Sequence, residues 1–293
     1  MLYNNYKIYI MYIVYKIIYQ SGGIEMLKNK VVKWMAPLAV GSLLLAACGA
    51  DDSNNGSTGS SGDSDSAETK TKYVAGTEAT FAPFEYMDDK GNIVGIDKDI
   101  IDAIAQETGI EIEMKNVGWD PVFEGVKGGT LDIGVSGITI TEKRKEEYDF
   151  TNPYYEATQL IVVKGDSKVE SLADLEGKKV SVQINTTGHE AAKKAFGETT
   201  PNISAFENLP TAIMEMLNGG TDAAIGDNAV VLEYIKNNPD QDIKVIEDAA
   251  FEKEYYGFMV KKGNKEVLDI LNEGLQKIKD NGKLKEITGQ EIE

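Results

Sequence analysis

Three chemically distinctive side chains occur once each among the 293 residues: Arg144, Cys48 and His189. A guanidinium holds a carboxylate through two parallel hydrogen bonds, which the point charge of a lysine cannot reproduce. A single cysteine excludes an internal disulfide and a cysteine-cluster zinc site, and a single histidine excludes a histidine-rich metal centre. We therefore expect no metal and no cofactor. Because Arg144 is the single arginine of the chain, the choice of arginine over lysine at this position calls for a chemical explanation.

Further candidates for chemistry cluster in turns that connect a predicted strand to a predicted helix. In α/β proteins, ligands bind beyond the carboxyl ends of the strands, where helix N-termini offer unpaired N–H groups. Aromatic, acidic, hydroxyl and glycine residues gather at such points, and the solitary arginine lies in one of them. The turns are residues 76–86, the segment around Trp119, and residues 136–144, 185–188 and 226–228.

Strand and helix patterns alternate along the chain from residue 72 onwards. Alternation of this kind predicts an α/β fold with largely parallel sheets. About ten strands in roughly 220 residues suit two sheets better than one. The main predicted strands are 72–77, 111–117, 131–136, 159–163, 179–183, 204–207, 223–225 and 256–260. The predicted helices are 97–108, 121–127, 141–146, 189–196, 210–218, 228–237 and 267–279.

The first 72 residues predict processing and tethering rather than a folded core. Residues 26–47 join a short basic region to an apolar run of about a dozen residues, too short to span a bilayer. The run ends in Leu-Ala-Ala before Cys48. This resembles a bacterial lipoprotein signal, which implies that Cys48 carries a lipid; an ordinary secretory signal with a chance cysteine is the alternative. Residues 48–72, rich in Ser, Gly, Asn and Asp, predict a flexible tether, and we expect residues 1–25 not to be translated.

The net charge of −18 limits the partners of the chain. Nucleic-acid binding needs a basic surface, so we expect no nucleic-acid partner. An acidic surface mainly favours solubility and does not identify a ligand.

Four motifs carry a family resemblance: FAPFE at 81–85, GITITEKR at 137–144, DFTNPYY at 149–155 and AAIGDN at 223–228. In this order and spacing they resemble the polar amino-acid substrate-binding proteins of bacterial ATP-binding-cassette importers, and glutamine-binding members look most similar. The resemblance covers residues 73–290. It implies a periplasmic binding protein-like II fold, with two Rossmann-like lobes joined by two crossing strands. Lobe one would comprise residues 73–153 plus 257–293, lobe two residues 159–251, and the hinge residues 154–158 and 252–256.

The resemblance also implies a clamp for the two charged groups of a free amino acid. The carboxylate would lie on Arg144 and on backbone N–H groups of Thr187 and Gly188 at a helix start. Burying either ligand charge without a partner would cost several kcal/mol. The acceptors for the ammonium group would be the Asp227 carboxylate, the Gly137 carbonyl and the Thr139 hydroxyl. The plain alternatives are a surface arginine, an ordinary helix entry and an aspartate that caps a helix.

By the same resemblance, the ligand side chain would lie between Phe81 and Trp119, with Glu78 at its tip. Glutamine-binding proteins often carry aspartate where Glu78 stands, so the tip of the pocket is one methylene longer here. Glu78 could accept a hydrogen bond from an amide or pair with a cationic side chain, so we expect glutamine first and keep arginine or lysine open. The alternatives are two core aromatics and a solvated loop acid, and we expect His189 on the surface of a first helical turn. The family more often has Gly-Thr-Thr-Gly where this chain has Asn185 at the first position.

We therefore predict a lipid-anchored solute-binding protein outside the cytoplasm, with no catalytic residue. It would be a monomer that closes its lobes on a polar amino acid and delivers it to a membrane permease. A dehydratase on the same fold is the alternative, because a fold does not fix a function. Only Glu78 and His189 are candidates for its acid–base chemistry. A ligand sensor is a third class, although the chain contains no signalling domain.

Overall fold

The computed structural model describes residues 70–292. The predictions for residues 1–25, for the signal segment 26–47, for lipidation at Cys48 and for nearly all of the tether 48–72 lie outside this range. Within it, no helix is long and apolar enough to cross a membrane.

The described chain builds two five-stranded sheets. In spatial order, the first contains β5 (Glu111–Asn116), β1 (Lys72–Thr77), β6 (Ile133–Gly134), β15 (Met259–Lys261) and β7 (Tyr148–Phe150). The second contains β11 (Ile203–Phe206), β10 (Val180–Gln183), β12 (Ala223–Asp227), β9 (Gln159–Lys164) and β13 (Ile243–Ile246).

The two sheets share one strand arrangement. Three neighbouring strands run parallel in each, and the fourth is antiparallel to the strands on both of its sides. This reversed strand is β15 in the first sheet and β9 in the second. The other strands of each sheet share one direction, so the sheets are largely parallel, as the alternating pattern predicts.

Two short strands connect the sheets: β8 (Tyr155–Ala157) and β14 (Glu254–Tyr256), which pair with each other in antiparallel fashion. Each of them leads along the chain into a reversed strand, β8 into β9 and β14 into β15. The predicted fold class, two α/β lobes joined by two crossing strands, is thereby confirmed. Below, lobe one is the part around the first sheet and lobe two the part around the second; the residue bounds expected above stay predictions.

Helices flank both sheets. Lobe one has α1 (Ile96–Thr108), α2 (Trp119–Gly128), α3 (Glu142–Glu147), α7 (Lys265–Asp280) and α8 (Lys283–Thr288). Lobe two has α4 (Thr187–Phe196), α5 (Leu209–Leu217) and α6 (Asn228–Asn237). Four of these helices begin where a side-chain oxygen accepts a hydrogen bond from an N–H group of the first turn, which fixes their starting residue. The capping residues are Thr141, Thr186, Asn208 and Asn264.

Aromatic side chains fill the base of the hinge. Tyr154 stacks on Phe258 with ring centroids 4.4 Å apart, and the edge of Tyr155 meets Phe84 at 4.8 Å. Tyr154, Phe84 and Phe258 are fully buried. Burial of such rings stabilises the fold by on the order of 2–3 kcal/mol each. The hinge strands therefore pack on a stable aromatic cluster.

Two predicted strands differ from the observed ones. The strand expected at 131–136 is confined to β6, although Asp132 N and Val135 N still donate to carbonyls of the neighbouring strand β1. The strand expected at 256–260 is broken after β14, because Gly257 N donates to the Ile138 carbonyl and the chain then changes partners. Elements without a sequence prediction include β13, α8 and the small sheet of β2 (Thr80–Phe81), β3 (Glu85–Met87) and β4 (Ile93–Val94).

Candidate ligand-binding cleft

The turns singled out in the sequence meet between the two lobes. Those after β1 and β6 belong to lobe one, and those after β10 and β12 belong to lobe two. Contacts across the cleft join them, such as the hydrogen bond of 3.3 Å from Arg144 to the Asn185 carbonyl. The structure brings all nine predicted ligand-binding residues to this cleft: Glu78, Phe81, Trp119, Gly137, Thr139, Arg144, Thr187, Gly188 and Asp227.

Arg144 lies in the first turn of α3, where its N–H donates to the capping Thr141 hydroxyl at 3.1 Å. The guanidinium donates to the Thr139 carbonyl at 2.8 Å and lies 5.5 Å and 5.2 Å from the ring centres of Trp119 and Phe123. Burial lowers the pKa of Arg144 to about 10, so the group stays charged at neutral pH. It forms no salt bridge within residues 70–292, and a carboxylate is the partner that its charge lacks.

The N-terminus of α4 offers two further donors beside Arg144. The capping hydroxyl of Thr186 is occupied by His189 N at 3.2 Å. The N–H groups of Thr187 and Gly188 donate no hydrogen bond to the described residues. A helix N-terminus also carries a partial positive charge, so this turn suits an anionic group.

Asp227 ends β12 and is buried. Its Oδ1 accepts hydrogen bonds from the Tyr256 hydroxyl at 2.8 Å and from Gln159 Nε2 at 3.0 Å. Burial and, to a smaller extent, the nearby charge of Glu254 raise the pKa of Asp227 to about 7. Although Asp227 stands at the N-cap position of α6, its side chain makes no capping hydrogen bond, so the helix does not use its carboxylate.

Glu254, on the hinge strand β14, is a residue that the sequence reasoning missed. Its Oε2 accepts hydrogen bonds from the Thr139 hydroxyl of lobe one at 2.8 Å and from the Thr187 hydroxyl of lobe two at 2.7 Å. Each hydroxyl has a single proton, so both are used as donors here and their free lone pairs can only accept. Thr139 is thereby prepared to accept from an ammonium group.

Gln159, at the start of β9, was also missed. Its Nε2 lies within hydrogen-bonding distance of Asp227, Thr187 and Glu254.

One signal for Glu254 was available in the sequence: strand residues alternate between faces, so Glu254 and Tyr256 of a hinge strand point the same way. Once Asp227 is placed, both side chains fall beside it.

Glu78 lies at the end of the cleft away from Asp227 and is buried. Its carboxylate accepts hydrogen bonds from the Thr80 hydroxyl and, across the cleft, from Gln183 Nε2 at 3.3 Å. Burial raises the pKa of Glu78 to about 7. Among residues 70–292, the adjoining cavity of about 520 Å³ is also lined by Asp120 and Glu207 and by no lysine or arginine, so it is acidic. Because Glu78 is buried, it is not a solvated loop acid.

Two glycines leave room for the other parts of the site. Gly137 has φ 51°, a left-handed conformation that favours glycine, and an added Cβ would lie 2.6 Å from the ring of Phe81. A Cβ on Gly188 would lie 2.7 Å from Gln159 Oε1.

Trp119 packs edge-on against Phe123, and its buried Nε1 has no hydrogen-bond partner in residues 70–292.

His189 is buried, so its expected surface position is wrong. Its Nδ1 accepts a hydrogen bond of 3.1 Å from Asn185 N, which closes the turn before α4. Burial lowers the pKa of His189. The imidazole is therefore neutral at pH 7 and shapes the loop.

The fold and the cleft define a two-lobed solute-binding protein. The chain belongs to the bacterial extracellular solute-binding proteins, family 3, whose profile matches residues 73–290. Because this is a family of binding proteins, the prediction that the chain is not an enzyme is confirmed. The alternative function of a dehydratase is excluded.

Several relatives bind amino acids. A probable histidine-binding protein of Neisseria gonorrhoeae is 38% identical over 87% of this chain and 93% of its own. The arginine-, lysine-, histidine-binding protein ArtJ of Geobacillus stearothermophilus is 51% identical over 74% of this chain and 93% of its own, with a TM-score of 0.71. An ancestral arginine-binding protein, solved with glutamine, is 39% identical over 74% of this chain and 96% of its own, with a TM-score of 0.70.

Proposed function

We propose that this protein captures a cationic amino acid, with arginine as the preferred ligand, and delivers it to the permease of an ATP-binding-cassette importer. The observation that carries the proposal is the acidic cavity beside Glu78, which Asp120 and Glu207 also line. A cationic side chain would neutralise carboxylates that are costly to desolvate without a partner.

The opposite end of the cleft suits the groups that every free amino acid carries. The half-buried guanidinium of Arg144 forms no salt bridge within residues 70–292, and the N–H groups of Thr187 and Gly188 stand beside it. Asp227 and the Thr139 hydroxyl supply acceptors. An α-carboxylate on the first set and an α-ammonium on the second would match both charges.

The preference for arginine over glutamine rests on charge. Within residues 70–292, the Glu78 carboxylate accepts a hydrogen bond from the Gln183 amide and forms no salt bridge with a cation. The side chains of Asp120 and Glu207 around it add negative charge. Lysine and histidine-like cations share this complementarity. The relatives named for arginine, lysine and histidine support the same ligand class.

Glutamine is the second candidate. Its amide could donate to Glu78, and an ancestral arginine-binding protein of the same family was solved with glutamine bound. The zwitterion clamp would hold both ligands equally, so the discrimination lies at Glu78.

Capture would proceed by closure of the lobes about the hinge strands. Lobe one would bind first through Phe81, Trp119 and Arg144, and lobe two would then bring Thr187, Gly188 and Asp227. Anchorage through a lipid at Cys48 would keep the protein at the outer face of the membrane, beside its permease.

Calorimetric titration of the purified protein with the twenty amino acids tests the proposal. We expect arginine to bind most tightly and glutamine at least about tenfold more weakly, or about 1.4 kcal/mol. Tighter binding of glutamine would establish the second candidate instead. No binding of any amino acid would overturn both.

A further inference from the structure

Two carboxyl groups lie buried side by side beneath the cleft. Glu85 belongs to β3 and Asp97 to the first turn of α1, and both are fully buried. The two carboxyls lie close enough for each to affect the pKa of the other. Glu85 Oε2 and Asp97 Oδ1 are buried and have no hydrogen-bond partner within residues 70–292. Neither group forms a salt bridge there, so no cation compensates their charge.

The remaining two oxygens hold the turn between β6 and α3. Asp97 Oδ2 accepts hydrogen bonds of 2.9 Å from Gly137 N and of 2.9 Å from the Tyr154 hydroxyl. Glu85 Oε1 accepts a bond of 2.6 Å from the Ser136 hydroxyl. The Ser136 oxygen in turn accepts from the N–H of Glu78 at 3.1 Å, so the pair connects to both ends of the proposed ligand site.

We infer that Glu85 and Asp97 share one proton, and that this singly charged pair is a positioning device for Ser136 and Gly137 in the binding cleft. Two ionised carboxylates in contact would repel each other, and each would leave one oxygen without a donor. One proton between Glu85 Oε2 and Asp97 Oδ1 satisfies both oxygens and halves the buried charge.

The proton belongs to Glu85. Asp97 receives two donors besides its partner, whereas Glu85 receives one, and donors stabilise the ionised form. The pKa values agree in direction. Burial and the charge of Asp97 raise the pKa of Glu85 well above its usual range. Burial raises the pKa of Asp97 only to about 6, because hydrogen bonds from Gly137 N–H and the Tyr154 hydroxyl lower it. Glu78 and Tyr154 are the other titratable groups that face the pair.

The consequence for binding rests on the proposed function. Gly137 adopts φ 51° with its N–H fixed by Asp97, and its carbonyl is the expected acceptor of the ligand ammonium group. A buried negative charge behind this turn also attracts that ammonium. Glu85 and Asp97 touch no ligand and act through Ser136 and Gly137.

Carboxyl-to-amide variants test the shared proton. In Glu85→Gln, the amide can donate to Asp97 and accept from Ser136, so arginine affinity should change by less than about threefold. In Asp97→Asn, the amide can donate to an ionised Glu85 and still accept from Gly137 and Tyr154, with a similarly small effect. In the double variant the two amides cannot satisfy both neighbours, so we expect at least about a tenfold loss, beyond the product of the single effects.

A ligand-free signature separates this inference from the proposed function. Carbon-13 NMR of labelled glutamate carboxyls, assigned by the signal lost in Glu85→Gln, should show Glu85 protonated at pH 7 in the natural chain. In Asp97→Asn the same carboxyl should be ionised at pH 7. An ionised Glu85 in the natural chain, or an unchanged signal in Asp97→Asn, would overturn the shared proton even if arginine does not bind or the double variant does not fold.

Discussion

The side-chain amide of Asn185 donates a hydrogen bond of 3.0 Å to the Asp120 carboxylate, and the two residues belong to opposite lobes. Asn185 has φ 58°, the one left-handed conformation of a residue other than glycine in the described chain, which asparagine tolerates better than most residues. Its carbonyl accepts from Arg144 of lobe one at 3.3 Å. One residue thus connects the lobes twice.

Asn185→Gly should weaken ligand binding by about threefold to tenfold, the size expected for one partly exposed, charge-assisted hydrogen bond. Glycine adopts the same backbone conformation and keeps the carbonyl for Arg144, so only the bond to Asp120 is lost. Faster ligand dissociation in stopped-flow fluorescence should account for the change. In a double-mutant cycle with Asp120→Ala, purely additive effects would show that the two residues are not coupled.

Arg144→Lys should reduce arginine affinity at least about tenfold, because an ammonium cannot form the planar, bidentate contact with a carboxylate. Calorimetry measures the loss. The matched control is Lys145→Ala, which removes an exposed cation of the same helix that pairs with Glu142. Equal affinities of the natural chain and Arg144→Lys would remove Arg144 from the site.

The ratio of arginine affinity to glutamine affinity should rise as pH increases from 5 to 8. Burial raises the pKa of Glu78 to about 7 in the unliganded protein, and only its ionised form attracts a cationic side chain. Ligand binding therefore favours loss of this proton, so affinity for arginine is gained above pH 7 and lost below it. Asp227 titrates in the same range but faces the ammonium group that both ligands share, so its contribution cancels in the ratio.

Glu78→Gln is the control for this pH dependence. An amide at position 78 does not titrate, so the ratio should become flat, with weaker arginine binding and glutamine binding little changed. A flat ratio in the natural chain would instead exclude Glu78 from contact with the ligand side chain.

Glu254→Gln should weaken binding of every amino-acid ligand at least about tenfold. The carboxylate accepts from the Thr139 and Thr187 hydroxyls at Oε2 and from Gln159 Nε2 at Oε1. An amide has one acceptor oxygen, so its N–H donors must face either the two hydroxyls or Gln159 Nε2, and one of these contacts is lost. Isothermal calorimetry with arginine and with glutamine measures the loss. The exposed neighbour Glu252 provides the control, because Glu252→Gln should bind both ligands normally.

Local patterns in the sequence predicted much of the fold. The strand at 72–77 and the helix at 228–237 coincide with β1 and α6, because an apolar period and a clear boundary residue mark each of them. The strands β2 and β4 have two residues each, too few for any period to be recognised. Their pairing depends on the turn that brings them together.

The site was predicted as far as its residues lie in recognisable motifs. Arg144 and Asp227 stand in such motifs. Glu254, on a hinge strand, and Gln159, at the start of β9, lie outside them, and their contacts form only when both lobes are assembled. The bond between Glu254 and Thr139 spans 115 positions, and sequence periodicity carries no information at that range. Long-range hydrogen bonds of this kind are what the folded structure adds.

The reversed strand of the first sheet sets an order on folding. β15 lies between β6 and β7, so these two strands have no common edge until residues 259–261 are available. All five strands of the second sheet lie between residues 159 and 246 and are complete before that. As the chain leaves the ribosome or the export channel from its N-terminus, the second sheet can close first, while the first stays divided until almost the last part of the chain arrives.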